Sequence, residues 1–200
     1  MIKVGLTGGL ASGKTTISFF LKKKGFPVHE SDKIVKKIYS KPKTNLLKHL
    51  KKIGLSNSIK NKKINKKTIR EEIFNNTTKK RKLEKFIHNE VKNDRLRFLN
   101  YQKKKNAKVV ILDIPLLFEA KLSKTCDYII FLYLPKKIKI NRASQRRGIT
   151  KTIATKIINN QLKDSFKKQK SDYVINTSKN KKHSFKMILN IINNIIKKNA

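Results

Sequence analysis

Two hundred residues with 51 Lys and Arg against 12 Asp and Glu carry a formal net charge of +39. The length suits one domain with a sizeable core, and the single cysteine, Cys126, excludes a disulfide framework and a cysteine zinc site. No run of about 18 apolar residues offers a membrane span, the N-terminus enters a strand rather than a secretory leader, and a reducing cytoplasm is the expected compartment.

The chain opens on Ile2-Lys3-Val4-Gly5-Leu6-Thr7, a short buried strand by its apolar run. Gly8-Gly9-Leu10-Ala11-Ser12-Gly13-Lys14-Thr15 follows and fits G-x-x-x-x-G-K-[ST]; residues 16–21 form the apolar side of a helix. Strand, glycine-rich turn and helix is the setting in which this motif binds phosphate. Successive backbone amides make a concave donor surface, and the helix adds its positive end. Gly9, Ala11, Ser12, Gly13, Lys14, Thr15 and Thr16 are therefore the nucleotide-binding candidates. Lys14 can reach the β- and γ-phosphates, and the Thr15 hydroxyl can hold Mg²⁺. The alternative, a glycine-rich turn that binds nothing, does not account for the agreement of spacing and flanks.

Pro27-Val28-His29-Glu30 reads as a second short strand, after which Ser31 or Asp32 caps a helix to about Ser40. Residues 41–104 show helices and no convincing strand. A helix from Pro42 to Gly54 carries Leu46, Leu47, Leu50 and Ile53; residues 59–67 read as loop. Thr68-Ile69-Arg70-Glu71 has a capping-box pattern, and a long helix from about Thr78 keeps Leu83, Phe86, Ile87, Val91, Leu96 and Leu99 on one stripe. Val109-Val110-Ile111-Leu112-Asp113 is a buried strand ending in an acid. Pro115 turns the chain into a short helical segment, 116–119. Residues 128–133 form another strand. A helix after Pro135 carries Arg142, Arg146 and Arg147, Gly148 breaks it, and Thr150 caps the next, which runs through Gln161. Residues 173–175 are a last strand, and an isoleucine-rich helix closes the chain. Strands alternating with helices predict an α/β fold with a parallel sheet.

The charge invites a nucleic-acid reading. Only seven of the basic residues are Arg, however, and the lysines are spread through the chain among many Asn and Ile. A dedicated nucleic-acid surface clusters its charge and favours Arg. Lys, Asn and Ile are the residues of AT-rich codons, so composition bias accounts for the charge, with polyanion binding as the alternative. Weak, salt-sensitive binding to DNA follows on either reading.

Glu30, Asp32 and Asp113 lie at predicted strand ends, the edge that faces the ligand crevice in α/β sheets. Asp113 can orient Mg²⁺, directly or through water, or cap the following turn. Asp32 can take the proton of an attacking hydroxyl, or serve as a helix N-cap. Arg142 and Arg146 are four residues apart on one helix face, suited to clamping phosphate; a solvated basic face is the alternative. His88 stands alone on an apolar-striped helix and reads as a packed or partly exposed structural histidine.

These residues together resemble the dephospho-coenzyme A kinase family over residues 2–178. The glycine loop is similar to the family's opening. Glu30-Ser31-Asp32 resembles its D-A-D, Ile69-Arg70-Glu71-Glu72-Ile73-Phe74 its L-R-x-x-I-F, and Ile87-His88 its L-H-P. Asp113-Ile114-Pro115-Leu116-Leu117-Phe118-Glu119 is close to D-V-P-L-L-F-E, the most specific of the signatures. Arg142 and Arg146 fall on the lid arginines, Gln161 and Lys167 on a Q and a K, and Asp172-Tyr173-Val174-Ile175 on A-D-x-V-I.

The resemblance implies ATP- and Mg²⁺-dependent phosphorylation of the ribose 3′-hydroxyl of dephospho-CoA, the last step of coenzyme A synthesis. It implies a three-layer P-loop NTPase fold with a parallel five-stranded sheet. The nucleotide core would comprise residues 1–40, 105–140 and 170–200, with a helical CoA-substrate insertion at 41–104 and a lid at 141–169. Asp32 becomes the implied catalytic base, with Lys14 and Arg142 as its catalytic partners. Arg70, His88, Pro115, Leu116, Leu117 and Glu119 become substrate-side residues. The sequence departs from the family at Ala11, Glu30 and Asn89, and at Asn176-Thr177-Ser178-Lys179, which stands for D-N-x-G beside the adenine. A cytoplasmic monomer with a small-molecule substrate, no specific nucleic acid and no membrane is expected. Another P-loop kinase acting on a nucleoside monophosphate or small metabolite is the competing reading, and a nucleic-acid-linked P-loop NTPase a more distant one.

Overall fold

The apolar runs and glycine breaks of the sequence become, in the computed structural model of the chain, a regular alternation of elements; residues 1–199 are described. β1 (Ile2–Gly8) leads through the glycine turn into α1 (Lys14–Lys23), and β2 (Val28–Glu30) runs directly into α2 (Ser31–Ser40). Next come α3 (Thr44–Lys52), an antiparallel hairpin of β3 (Ile59–Lys60) and β4 (Lys63–Ile64), α4 (Lys66–Phe74) and α5 (Thr77–Lys104). β5 (Val109–Asp113) and β6 (Tyr128–Tyr133) precede α6 (Lys136–Ser144), α7 (Lys151–Asn159) and α8 (Asp164–Gln169); β7 (Tyr173–Asn176) and α9 (Lys181–Lys198) end the fold.

The chain divides into two units, residues 1–30 with 101–199, and Ser31–Asn100. The first holds a five-stranded parallel sheet in the order β2-β5-β1-β6-β7. The chain moves from β1 to one side through β2 and β5, then to the other through β6 and β7. The order therefore reverses at β1, and the crevice beyond its carboxyl end is the expected ligand site. Val4, Leu6, Ile111, Ile130, Leu132 and Ile175 form one core with Ile17 and Leu21 of α1 and Ile188, Ile192 and Ile195 of α9. The α9 residues recur at helical spacing, so a single stripe covers the sheet. Asn180 starts that helix by accepting the His183 amide at 2.8 Å.

The second unit packs α2, α3, α4 and α5 around Leu46, Leu50, Ile53, Leu55, Ile69, Leu83, Ile87 and Val91. Several local expectations are corrected here. Residues 59–64 form a hairpin rather than loop, with Asn61 and Lys62 both at positive φ (49° and 59°), the backbone of a two-residue turn. The cap of α4 is Asn65, whose side chain accepts the amides of Lys67 and Thr68, so the Thr68 capping box is not the helix start. Along α5 the stripe fails at Leu96, which is 47 % exposed, while neighbouring Arg95 is buried. In the first unit, residues 115–120 make a turn rather than a helix, and α7 stops at Asn159 with the separate helix α8 following.

Candidate active site

The glycine loop joins β1 to α1 at the point where strand order reverses. The first residue of α1 is Lys14, and its ammonium pairs with Asp113 at the end of β5. Ser18, one turn further along α1, donates its hydroxyl to the other Asp113 oxygen at 2.5 Å. Asp113 is 3 % exposed, so this carboxylate is engaged on both oxygens and fixes α1 against the sheet. Thr15 and Thr16 are exposed on the first turn.

Across the loop lies an open cavity of about 320 Å³, lined by Ala11, Gly13, Thr16, Arg142, Arg146, Thr177, Lys179 and Phe185 among others. The cavity gathers loop residues, Arg142 of α6, Arg146 and the segment after β7. α6 ends at Ser144, so Arg146 and Arg147 lie in the turn beyond it, not on the one helix face that their spacing suggests. Arg142 donates from Nη1 to the Thr177 carbonyl at 3.1 Å. The Thr177 hydroxyl in turn shares its proton between the carbonyls of Ser12 at 2.9 Å and Tyr133 at 3.1 Å. A hydrogen-bonded path thus runs from Arg142 to the loop. Arg147 is exposed and does not line the cavity. Phe185 stacks on Phe20, ring centres 3.9 Å apart, and gives the cavity a flat apolar wall.

Ala11 takes φ +56°, the left-handed region, at a cost of about 1–2 kcal/mol for a residue with a Cβ. Its side chain is 8 % exposed and packs with Ala143 of α6 and Ala154 of α7, which returns part of that cost. The loop therefore packs against α6, which carries Arg142, and against α7.

The segment after β5 is split in its use. Pro115 accepts the Thr7 hydroxyl at 3.0 Å through its carbonyl, Leu117 is wholly buried, and Leu116 is 47 % exposed. Glu119 accepts the Lys167 ammonium at 2.6 Å and the Leu162 amide at 3.2 Å on one oxygen. Its second oxygen is buried without a hydrogen-bond partner.

Within the second unit, Asp32 is exposed in the first turn of α2, which begins at Ser31; it lies inside the helix rather than ahead of it as a cap. Arg70 on α4 and His88 on α5 are both exposed. Of the packed and partly exposed alternatives for His88, the packed one does not hold.

Sequence reading passed over Lys181, Ser184 and Phe185, which line the cavity, and Lys139 and Asp164, which pair near the loop; it noted Thr177 only within the 176–179 segment beside the adenine. One signal was available. Thr177 follows the last strand, so it falls on the crevice edge of the sheet.

A family model described as "Dephospho-CoA kinase" matches residues 2–183. A dephospho-CoA kinase of Fusobacterium nucleatum is 38% identical over 185 residues, covering 92% of this chain and 94% of that one. One of Bartonella quintana is 32% identical, covering 97% and 98%. The solved structure of a dephospho-CoA kinase from Campylobacter jejuni superposes with a TM-score of 0.74 at 28% identity, covering 99% of this chain and 98% of that one.

Proposed function

Because the chain belongs to the dephospho-CoA kinase family, we propose a division of labour among its residues for that family's reaction. The enzyme transfers the γ-phosphoryl group of ATP to the ribose 3′-hydroxyl of dephospho-CoA, giving coenzyme A and ADP in the last step of coenzyme A synthesis. The bond from the acceptor oxygen to γ-phosphorus forms as the bond from γ-phosphorus to the β-phosphate oxygen breaks, and the acceptor proton passes to a base.

The donor lies on the loop. Backbone amides of Gly9–Gly13 receive the phosphates, Lys14 neutralises the β- and γ-oxygens, and Arg142 and Arg146 close on the transferring group. The observation that carries this reading is the cavity that brings Ala11, Gly13 and Thr16 together with both arginines. Thr15, an exposed hydroxyl on the first turn, and Asp113, through water, offer the oxygen donors that suit Mg²⁺. Mg²⁺ bound there with the nucleotide would neutralise charge on the phosphate oxygens.

Asp32 is the acceptor-side base in this reading. Its carboxylate is exposed and stands two residues beyond β2, whose end registers with Asp113 through Glu30. Arg70, His88 and the Pro115–Glu119 segment serve the CoA substrate, with residues 41–104 as the substrate insertion and 141–169 as the lid. The enzyme works as a cytoplasmic monomer. The resident lysines serve no specific nucleic-acid role in this reading.

Purified protein supplied with Mg·ATP and, separately, dephospho-CoA, AMP or no acceptor tests the whole assignment through ADP release. Release that depends on dephospho-CoA supports it. Equal release with AMP or without acceptor would overturn it.

A further inference from the structure

Lys139 is 2 % exposed, unusual for a lysine in a chain so rich in solvated ones. Both oxygens of Asp164 receive its ammonium, at 2.8 and 2.6 Å. Lys139 lies on α6 three residues before Arg142, and Asp164 opens α8, so the pair closes the base of the segment that carries α7.

The same ammonium has a second neighbour, the phosphate loop. A Cβ built on Gly9 would stand 3.1 Å from Lys139 Nζ, 3.4 Å from its Cε and 3.2 Å from Gln161 Oε1. The ammonium and the Gln161 amide therefore pack on the bare α-carbon of Gly9. The Gly9 carbonyl accepts the Ser12 amide at 3.2 Å, the bond that closes the loop's turn. Two residues on, Ala11 packs with Ala143 and Ala154. The loop is thus gripped at two points by the stem of the arginine-bearing segment.

We propose that Lys139 is a positioning residue for phosphoryl transfer: held by Asp164 and flanked by Gln161, it braces the phosphate loop at Gly9 and so sets Arg142 and Arg146 relative to the bound phosphates. The proposal rests on the loop being the ATP site. Charge explains the choice of residue. Two charge-assisted hydrogen bonds fix the tip of the side chain in direction as well as depth, which an apolar side chain would not do. Asp164 cancels the charge, so the brace does not compete with Lys14 for phosphate oxygen.

The test uses the full-length enzyme as Lys139→Met, Asp164→Asn, Gly9→Ala and the Gly9→Ala/Lys139→Met double variant. Steady-state kinetics with both substrates and thermal melts are recorded for each. Lys139→Met and Asp164→Asn are expected to lower kcat roughly tenfold or more, the scale of a small misplacement of reacting groups, with the KM for dephospho-CoA within about twofold of wild type. Gly9→Ala should also lower kcat, and by a smaller factor in the Lys139→Met background, where the ammonium that meets the new methyl is gone. Unchanged kcat with only a lowered Tm would reduce the pair to a structural brace and overturn the proposal. So would effects of Gly9→Ala and Lys139→Met that simply multiply. If Lys139→Met does not fold, Asp164→Asn decides, since its side chain is 28% exposed and keeps its shape. Wild-type enzyme without dephospho-CoA-dependent turnover would strike the reading of the loop, a result distinct from failure of the variants alone.

Discussion

Lys14 and Asp113 form an ion pair that joins the first residue of α1 to the last residue of β5, with Ser18 donating to the second carboxylate oxygen. The lysine of the phosphate loop is therefore oriented from the sheet. Asp113→Ala should cost about 3 kcal/mol of stability, because it leaves a largely buried ammonium without its counter-charge. Lys14→Ala should lower both turnover and nucleotide affinity, because in the proposed reading it removes the cation that meets the β- and γ-phosphates. Chemical denaturation and nucleotide titration separate the two effects. Wild-type affinity in Lys14→Ala would contradict the phosphate role.

Asp32 offers the cleanest separation of chemistry from binding. Asn has nearly the same shape but does not accept the acceptor's proton as a carboxylate does. Asp32→Asn should lower kcat by about 10²–10⁴-fold, the usual worth of general-base catalysis, and leave ATP binding near wild type. Because Asp32 is exposed on α2, the fold should tolerate the change. Undiminished turnover would remove Asp32 as the base.

How much of this was legible depends on whether a residue's role is written in its neighbours. The loop at 8–15 was readable because its chemistry needs backbone geometry that glycine supplies at set intervals. Four of the sheet strands, β1, β5, β6 and β7, were readable as apolar runs, and β2, Val28-His29-Glu30, from its place between two helices. The hairpin at 59–64 was not: its turn is Asn61-Lys62 rather than a glycine pair, and its strands are only two residues long. In α5 the stripe predicted from Leu83 onward was readable until Leu96, where Arg95 takes the buried position. Lys139 was invisible for another reason. It is one lysine among dozens, and only the packing of α6, α8 and the loop distinguishes it. Thr177 likewise acquires its role through contacts with Ser12, far away in sequence.

The cavity beside the glycine loop, proposed above to hold ATP, makes its own prediction at Phe185. Its ring stacks on Phe20 and forms a flat apolar wall beside Arg142 and Lys179. The adenine face of ATP suits such a wall, with stacking worth about 0.5–1.5 kcal/mol beyond area burial. Phe185→Ala should raise the KM for ATP several-fold while kcat changes little, the pattern of lost uniform binding. Phe185→Tyr should retain most of the affinity. A lowered Tm with an unaltered KM for ATP would leave Phe185 as core alone.

Gly5 connects the interior of the sheet to the glycine loop and to the 115–120 turn. A Cβ on Gly5 would stand 2.7 Å from Cys126 Sγ and 3.0 Å from Leu117 Cδ1, closer than packed atoms accept. β1 continues into the phosphate loop, and Leu117 belongs to the turn that carries Glu119. Gly5→Ala should therefore destabilise the protein by about 1–3 kcal/mol through overpacking, and the strain should displace the loop or the turn enough to lower kcat. Cys126→Ala removes the nearer of the two obstructing atoms, so the Gly5→Ala/Cys126→Ala pair should recover part of the lost Tm. Recovery stays incomplete because Leu117 and the β-carbon at 126 remain, the latter 3.3 Å away. Thermal melts of the two single variants and the double variant measure this directly. A wild-type Tm for Gly5→Ala would mean that β1 and the 115–120 turn are free to separate, against the packing described for them.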